Sequence, residues 1–399
     1  MNKLTLNELD VDGKRVIMRV DFNVPIKDGI VGDDTRIVAA LPSIQYVLDN
    51  GGSLILISHC GRPKGEKNME FTLKPAADRL AELIDANITL APDVIGDDVQ
   101  SLVNSLKSGE ILILENIRFY KEEEGKGCSS EDQEIFAKTL ASYGDIYVSD
   151  AFGTAHRAHA SMSVITKYID ICAAGFLLEK EITYLGKVLE SPEHPFVAII
   201  GGAKISGKID VIMNLMDKCE TILIGGGMAY TFYAAKGLQI GDSLLEEDKI
   251  DLAREILTQA KEKGVELLLP VDHIVADSFS EDANIKEVDG EIESGWMALD
   301  IGPKTAALYS KAVSMAKTVV WNGPMGCFEM TPFSNGTNEV CAAVASSNSV
   351  SIIGGGDSVS AVKKAGVADK MSHVSTGGGA SLEFMEGKQL PGIISLTDS

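Results

Sequence analysis

Short apolar runs recur along the chain, and most of them lead into segments that contain glycine, arginine or histidine. In the first half such runs are found at residues 17–20, 54–57, 111–114 and 146–148, and in the second half at 197–200, 222–224 and 351–353. Short buried runs bounded by turn residues, with helix-like stretches between them, are typical of parallel strands. The pattern therefore predicts an α/β protein with two doubly wound, mainly parallel-sheet (Rossmann-like) domains.

Apolar residues at three- and four-residue spacing predict helices between these strands, at 42–50, 73–86, 130–143, 208–217, 228–236, 248–263, 337–346 and 358–365. An amphipathic stretch at 179–190 ends at Ser191-Pro192-Glu193-His194-Pro195, where proline stops the helix. We therefore expect domains at 1–178 and 196–380, a hinge helix and linker at 179–195, and a C-terminal segment at 381–399. Residues 272–294 predict a β excursion, and the charged run 121–127 predicts a solvated, mobile loop.

Charge and cysteine usage narrow the class of protein. The net charge of −22 argues against nucleic acid or an anionic membrane as a partner. No apolar run approaches the roughly 18 residues that span a bilayer, and the N-terminus lacks the layout of an export signal. The 6 cysteines are scattered without a Cys-x-x-Cys pair, which indicates reduced thiols and a cytoplasmic protein.

Cationic residues follow the strands of the first half. Parallel strands end at the same edge of a sheet, where ligands bind. Arginines in the loops after the strands would therefore converge there into a local anion site on an acidic domain, although surface arginines can also fall anywhere. His156 and His159 could suggest a metal site, but no cysteine or acidic ligand accompanies them at metal-binding spacing. Loop histidines beside an anion-binding Arg157 are the simpler interpretation.

Glycines follow the strands of the second half. Gly202–Ile209 nearly matches the phosphate-loop pattern but has no hydroxyl at Ile209, and neither Gly225 nor Gly354 opens a complete G-x-G-x-x-G. This strand end therefore has a double glycine, Gly201-Gly202, followed by Lys204 and Lys208. We expect both lysines on the first turn of the next helix. Glycine amides and helix N-termini favour phosphate, but a tight strand–helix turn with surface lysines explains the segment equally well.

Two further glycine runs open predicted helices. Gly354-Gly355-Gly356-Asp357-Ser358 puts an acid on a first helical turn, where it could hold Mg²⁺ with phosphate oxygens, or simply cap the helix. The run 375–381 is suited to a phosphate in transit.

Together these segments resemble the phosphoglycerate kinase family, along nearly the whole chain. The resemblance rests on residues 20–25 (VDFNVP), 58–63 (SHCGRP), 115–119 (ENIRF), 150–157 (DAFGTAHR), 201–204 (GGAK), 225–229 (GGGMA), 321–324 (WNGP) and 354–357 (GGGD). The closing segment 382–392 is similar to that family's C-terminus, which packs back on the first domain.

The resemblance implies reversible phosphoryl transfer between 1,3-bisphosphoglycerate and MgADP, giving 3-phosphoglycerate and MgATP. It implies that the three-carbon acid is bound by Asp21, Asn23, Arg36, His59, Arg62, Arg118 and Arg157. It implies that the nucleotide is surrounded by Lys204, Lys208, Gly225, Gly226, Gly295, Asn322, Pro324, Glu329, Gly354, Gly355, Gly356, Asp357 and Ser358, with Asp357 reaching Mg²⁺.

Within these sets, charge stabilisation in the transition state is expected from Arg36 and Lys204, helped by the amides of Gly377 and Gly378. Ser358 stands where the family usually has threonine, so the hydroxyl is kept and a methyl is lost. The resemblance favours a monomer.

Two other functional classes stay open from the residues alone. An NAD-dependent dehydrogenase fits doubly wound sheets, but the missing dinucleotide fingerprint and the cluster of arginines argue against it. A nucleotide-binding protein without catalysis would be expected to lack some of the arginines that follow the strands of the first half, or to lack Lys204. These residues are all present.

Overall fold

The computed structural model describes residues 2–399, and the chain divides into two compact units. One comprises the chain up to Thr183 together with Gln389–Ser399, and the other is Tyr184–Lys388. The chain passes from the first unit to the second inside a helix, Phe176–Glu190. The domain boundaries expected from the sequence, 1–178, 179–195, 196–380 and 381–399, stay predictions.

The first unit is built on a parallel six-stranded sheet with the strand order β5-β6-β4-β1-β7-β8. A short antiparallel hairpin, β2–β3, with two residues in each strand, follows β1 along the chain. The strands are β1 (Arg15–Val20), β2 (Ile26–Lys27), β3 (Ile30–Val31), β4 (Ser53–Ile57), β5 (Asn87–Leu90), β6 (Glu110–Ile113), β7 (Ile146–Asp150) and β8 (Cys172–Ala174). The helices are α1 (Thr35–Asp49), α2 (Lys74–Leu83), α3 (Asp97–Ser105), α4 (Lys121–Glu124), α5 (Ser130–Ala141) and α6 (Phe176–Glu190).

The second unit repeats this architecture with the strand order β11-β10-β9-β15-β16-β17, again wholly parallel. Its strands are β9 (Phe196–Ile200), β10 (Thr221–Ile224), β11 (Glu266–Leu268), β12 (Asp272–Ala276), β13 (Ile285–Asp289), β14 (Met297–Ile301), β15 (Thr318–Asn322), β16 (Val350–Gly354) and β17 (His373–Val374). Its helices are α7 (Ile209–Met216), α8 (Ala229–Ala235), α9 (Ile250–Lys263), α10 (Pro303–Met315), α11 (Asn335–Ser346), α12 (Gly356–Lys364), α13 (Gly378–Met385) and, back in the first unit, α14 (Pro391–Ile394).

The central strands are buried along their whole length, as expected for strands covered by helices on both faces. Every residue of β4, β7, β9 and β15 is buried. Apolar side chains of β1 and β4 pack against Ile37, Ile44 and Val47 of α1 in one core cluster of the first unit. The predicted fold class is confirmed.

The β excursion expected at 272–294 is an antiparallel sheet of order β13-β12-β14, so it extends beyond the predicted range to Ile301. His273 lies buried in it, with ring nitrogens 3.0 Å from Tyr230 Oη and 3.2 Å from Tyr233 Oη. Burial lowers the pKa of His273 to about 4, so the ring is neutral at neutral pH. The ring is therefore an uncharged, buried part of this sheet.

Two local predictions were wrong. The charged run 121–127 is not simply a solvated loop, because it begins with α4 and the side chain of Glu123 is fully buried there. A charge count cannot reveal this, since burial depends on partners elsewhere in the chain. Helix α1 begins at Thr35 rather than near Pro42, which it contains in its interior. Proline removes one backbone donor there, yet the buried face of the helix continues past it.

No helix within the described residues 2–399 has the length and apolar character needed to cross a membrane.

Asp150, the last residue of β7, joins the sheet of the first unit to the start of α6. Its Oδ1 accepts hydrogen bonds from the backbone N–H of Leu177 (2.9 Å) and Leu178 (3.2 Å). The side chain is completely buried. Burial raises the pKa of Asp150 to about 7, against the hydrogen bonds that favour the anion.

We predict that Asp150→Asn flattens the pH dependence of stability between about pH 4 and pH 7. A carboxyl whose pKa is raised on folding binds more protons in the native state, so stability falls as pH rises through this window. The asparagine keeps the acceptor for α6 and cannot ionise. The free energy of unfolding by urea at several pH values checks this, with the exposed Asp369→Asn as control. An unchanged slope in Asp150→Asn contradicts the prediction.

Candidate functional site

The seven residues expected to bind the three-carbon acid line one cavity of about 220 Å³ in the first unit. It lies beyond the carboxyl ends of β1, β4, β6 and β7, which is where open parallel sheets bind their ligands. The predicted lining residues are Asp21, Asn23, Arg36, His59, Arg62, Arg118 and Arg157, and the structure adds Gly61, Gly153, Thr154 and His156.

Arg36 is held in this cavity by groups from the loop after β1. It lies in the first turn of α1, where its Nη1 donates to the Asn23 carbonyl oxygen at 2.8 Å and lies 3.3 Å from Asp21 Oδ2. Asn23 Oδ1 in turn accepts from the Gly61 N–H at 2.9 Å. The guanidinium is thus oriented by backbone and carboxylate but remains partly exposed.

Arg118 lies on a short 3-10 helix after β6. Its Nη1 donates to the Gly61 carbonyl oxygen at 3.0 Å, and its Nε lies 3.3 Å from Glu124 Oε1. Burial lowers the pKa of Arg118, although it stays fully charged at neutral pH. The side-chain amide of Asn116 fixes this loop by donating to the carbonyl oxygens of Cys60 (2.7 Å) and Phe71 (2.8 Å).

His59 is neutral in this site. Its side chain is buried, and burial together with the positive charges of Arg19, Arg118 and Arg36 holds its pKa well below the ordinary value. A neutral ring can donate one hydrogen bond without adding to the charge repulsion among the arginines.

Two buried charged residues near this cavity were not predicted from the sequence. Arg19 is completely buried within β1, and Glu123 is completely buried in α4. Arg19 had a signal, because it is the one charged residue inside the apolar run 17–20. Glu123 had none, since it stands in a row of three glutamates.

The arginine edge extends into a second cavity of about 440 Å³. Arg62, Arg118 and Arg157 line both cavities, and the second adds Lys64, Lys121 and Lys126. The cationic character of this side of the first unit is therefore local, within a chain whose net charge is −22.

The glycine segments of the second unit also meet at the carboxyl ends of their strands. Gly226 has φ +69°, and a Cβ there would lie 2.5 Å from the Gly202 carbonyl oxygen. Gly225 packs against Met325, so a Cβ there would collide with the methionine side chain. These positions require glycine because the loops after β9, β10 and β15 approach one another closely.

One expectation here was wrong in its detail. Helix α7 begins at Ile209, so Lys208 is its N-cap residue and the exposed Lys204 lies in the preceding loop. Residues 201–208 form a longer connection than the predicted tight turn. Lysine side chains in such a loop have more freedom to reach a ligand than those fixed on a helix.

A cavity of about 460 Å³ opens beside these glycines and is lined largely by apolar groups. Of the predicted nucleotide residues it contains Gly226, Pro324, Glu329 and Asp357. Phe279 and Leu244 also line it although they are 67% and 45% exposed, so they offer apolar surface that the unit itself leaves uncovered. Such a cavity fits a flat, weakly polar ring.

A smaller cavity of about 240 Å³ lies at the N-terminal ends of α12 and α13. The predicted residues in it are Lys208, Asn322, Gly355, Gly356, Asp357, Ser358 and Gly378. The first N–H groups of a helix have no partner within the helix, so two helix starts make this cavity suitable for phosphate. Asp357 lines both cavities.

Lys208 and Asn322 contact each other in this smaller cavity. Lys208 Nζ donates to Asn322 Oδ1, while within the described chain the buried Asn322 Nδ2 has no hydrogen-bond partner. Burial lowers the pKa of Lys208, and the charges of Asp357 and Glu386 partly oppose this. Buried donors without acceptors are suited to an anionic ligand.

The capping alternative for Asp357 is only partly supported. The N-cap residue of α12 is Gly355, which makes no side-chain cap, and Asp357 is the second residue of the helix. A favourable interaction with the helix dipole remains compatible with this position. Ser358 is fully buried, and its Oγ accepts from the Gly323 N–H at 2.5 Å.

Five predicted residues lie outside the lining of these cavities. Lys204 is in the exposed loop before α7, and Gly295 is in an exposed turn before β14. Gly225 follows β10, Gly354 ends β16, and Gly377 is the N-cap residue of α13. Their roles in catalysis or nucleotide binding stay predictions.

Metal ligation by His156 and His159 finds no support in side-chain geometry. Among the described residues, the group of ligand atoms close enough to hold a metal is Asp272, Glu287 and Asp289. There the Asp272 carboxylate accepts from the Thr305 and Lys304 N–H groups, and Lys304 Nζ pairs with Asp289.

Comparison with known proteins shows the family to which the chain is related. The family model of phosphoglycerate kinase matches residues 6–388. The chain is 55% identical to the phosphoglycerate kinase of Chloroherpeton thalassium, over 100% of both chains. It is 52% identical to that of Clostridium botulinum strain Hall, over 100% of this chain and 99% of the relative.

Solved structures give the same result. The phosphoglycerate kinase from Coxiella burnetii is similar with a TM-score of 0.89 at 41% identity, covering 98% of each chain. The enzyme from Pyrococcus horikoshii gives a TM-score of 0.84 at 33% identity, again over 98% of each chain. The chain belongs to the phosphoglycerate kinase family.

Proposed function

We propose that this chain catalyses reversible phosphoryl transfer between 1,3-bisphosphoglycerate and MgADP, giving 3-phosphoglycerate and MgATP. The observation that carries the proposal is the single cavity formed by all seven residues that match the family's acid-binding motifs. Membership of the family supports the reaction, and it argues against the NAD-dependent dehydrogenase considered from the sequence.

The acid-binding cavity supports recognition of a small, highly anionic substrate. Arg36, Arg62, Arg118 and Arg157 supply charge and hydrogen-bond donors in fork geometry, which suits carboxylate and phosphate. A single phosphorylated three-carbon acid carries both groups. The acceptor oxygen is already ionised at neutral pH, so we invoke no general base.

The two cavities of the second unit support nucleotide binding. The larger, more apolar cavity would take the base and sugar, and the smaller one would take phosphates against Lys208 and the starts of α12 and α13. Asp357 would hold Mg²⁺, because one carboxylate together with phosphate oxygens and water is a usual magnesium environment. When bound, Mg²⁺ would neutralise part of the charge on the phosphates.

Phosphoryl transfer requires positioning and positive charge around the transferring group rather than covalent help from the protein. Arg36 and Lys204 would provide that charge, with the amides of Gly377 and Gly378. Each unit offers one set of ligands, so the proposal includes closure about residues 179–195 that brings the substrates into line and excludes water. We also propose that the enzyme is cytoplasmic and monomeric, and that it binds neither nucleic acid nor membranes.

The direct test is an assay of the purified chain with ATP, 3-phosphoglycerate and Mg²⁺. We expect ATP consumption that depends on all three components, with the acyl phosphate detected by coupled reduction. Omitting 3-phosphoglycerate is the matched control. Absence of turnover in the folded protein contradicts the proposed function.

We predict that Arg36→Ala and Lys204→Ala each lower kcat by about 10²–10³, because removing one donor to the transition-state charge typically costs that much. The KM for nucleotide should change much less. Steady-state kinetics measure both constants, with the exposed Lys74→Ala and Lys236→Ala as controls for the loss of a surface charge. Near-normal turnover in either site variant removes that residue from the catalytic role.

A separate prediction concerns Asp357→Asn, which should raise the Mg²⁺ concentration needed for half-maximal activity. The amide keeps the size of the side chain but loses the charge that attracts the cation. Asp369→Asn, an exposed acid on a nearby short helix, is the control. If Asp357→Asn lowers thermal stability and leaves the Mg²⁺ dependence unchanged, the carboxylate serves the helix dipole instead.

A further inference from the structure

A buried arginine and a buried glutamate, Arg19 and Glu123, are linked through one serine close to the acid-binding cavity. Glu123 Oε1 accepts from Ser161 Oγ at 2.8 Å, and Glu123 Oε2 accepts from the Ser161 N–H at 3.0 Å. Arg19 Nε donates to the same Ser161 Oγ at 2.9 Å. The serine hydroxyl therefore links the orientation of the carboxylate to that of the guanidinium, because it bonds to both.

The other side of Arg19 faces the cavity. Its Nη2 lies 3.3 Å from His59 Nδ1, and its Nη1 donates to the Val20 carbonyl oxygen. A guanidinium can only donate, so His59 Nδ1 must accept and the proton of the neutral ring is on Nε2. His59 lines the acid-binding cavity, so this contact determines which ring nitrogen can donate to a ligand.

Glu123 supplies the negative charge that the buried Arg19 requires. Arg19 and Glu123 are both completely inaccessible to solvent, and a buried charge without an opposite charge is strongly unfavourable. Burial raises the pKa of Glu123, but His159, Arg19 and the Ser161 hydrogen bond lower it below its ordinary value overall, so the side chain is an anion. His159 Nδ1 lies 3.5 Å from its Oε1.

We propose that Glu123 is a positioning residue for substrate recognition: through Ser161 it orients Arg19, and through Arg19 it fixes the donor tautomer of His59. This inference rests on the proposed function, since it concerns binding of the phosphorylated three-carbon acid. Glu123 itself lines neither the acid-binding cavity nor the neighbouring lysine-lined cavity of the first unit. The competing explanation is that Glu123 only anchors α4 to the segment around Ser161.

The test compares Glu123→Gln, Ser161→Ala and the double variant in the full-length enzyme. We expect Glu123→Gln to raise the KM for 3-phosphoglycerate roughly tenfold, as the loss of one charge-assisted hydrogen bond would. The KM for MgATP should stay within about twofold of the original value. Ser161→Ala should act in the same direction, because it removes the bridge while leaving the carboxylate. Glu122→Gln, one residue earlier and identical in charge change, is the control.

The double variant tests the route of the effect. If Glu123 acts through Ser161, the double variant should be no worse than the worse single variant, because the two changes break one chain of contacts. Multiplied effects, or a KM for 3-phosphoglycerate that neither single change alters, overturn the inference. An anchoring role alone would lower thermal stability without separating the two KM values.

The result is informative even if one variant does not fold. Should Glu123→Gln fail to fold, Ser161→Ala alone decides: a selective rise in KM for 3-phosphoglycerate supports the inference, and an unchanged KM overturns it. Failure of the proposed function is a different outcome, because the unmodified chain would then show no turnover with ATP and 3-phosphoglycerate.

Discussion

The positive charge gathered at one edge of the first sheet is the constraint that organises the proposed acid-binding site. Arginines that face the same small cavity repel one another, and the repulsion grows as water is excluded. The structure limits this cost with acids near the arginines: Asp21 contacts Arg36, Glu124 contacts Arg118, and Glu123 is linked to Arg19 through Ser161. His59 stays neutral among them, so it can contribute a donor without a charge.

In the proposed function the second unit would meet the same demand, binding of phosphates, by different means. The proposed ligands there are backbone amides at helix starts, and the cations are few. This requires the chain to come very close to itself, as where Gly226 meets Gly202 and Gly355 meets the Asn322 side chain. A lysine, unlike a fixed amide, brings a full charge, and Lys208 contacts Asn322 in the lining of the smaller cavity, where we propose that phosphates bind.

What the sequence predicts well is what lies at the ends of strands. Asp21, His59 and Arg118 follow apolar runs, and parallel strands bring such positions to one edge whatever the detail of the loops. What it does not predict is which charged residues are buried. Glu123 is indistinguishable from its neighbours Glu122 and Glu124 in the chain, and only the position of Ser161 in space separates them. Loop geometry is missed for the same reason, as Lys204 illustrates, because the start of α7 depends on packing rather than on the glycines before it.

The two ways of binding an anion have different consequences for specificity. Backbone amides and a helix start accept phosphate in many compounds, so in the proposed function the second unit would owe its selectivity to the apolar cavity beside them. The arginine edge can be more selective, because each fork of donors must meet a matching pair of oxygens. That selectivity lasts only while the side chains keep their orientation, and a long side chain at a partly open cavity has many alternatives. Acids beside the arginines, such as Asp21 at Arg36 and Glu124 at Arg118, reduce those alternatives, which gives the counter-charges a role in the proposed recognition as well as in stability.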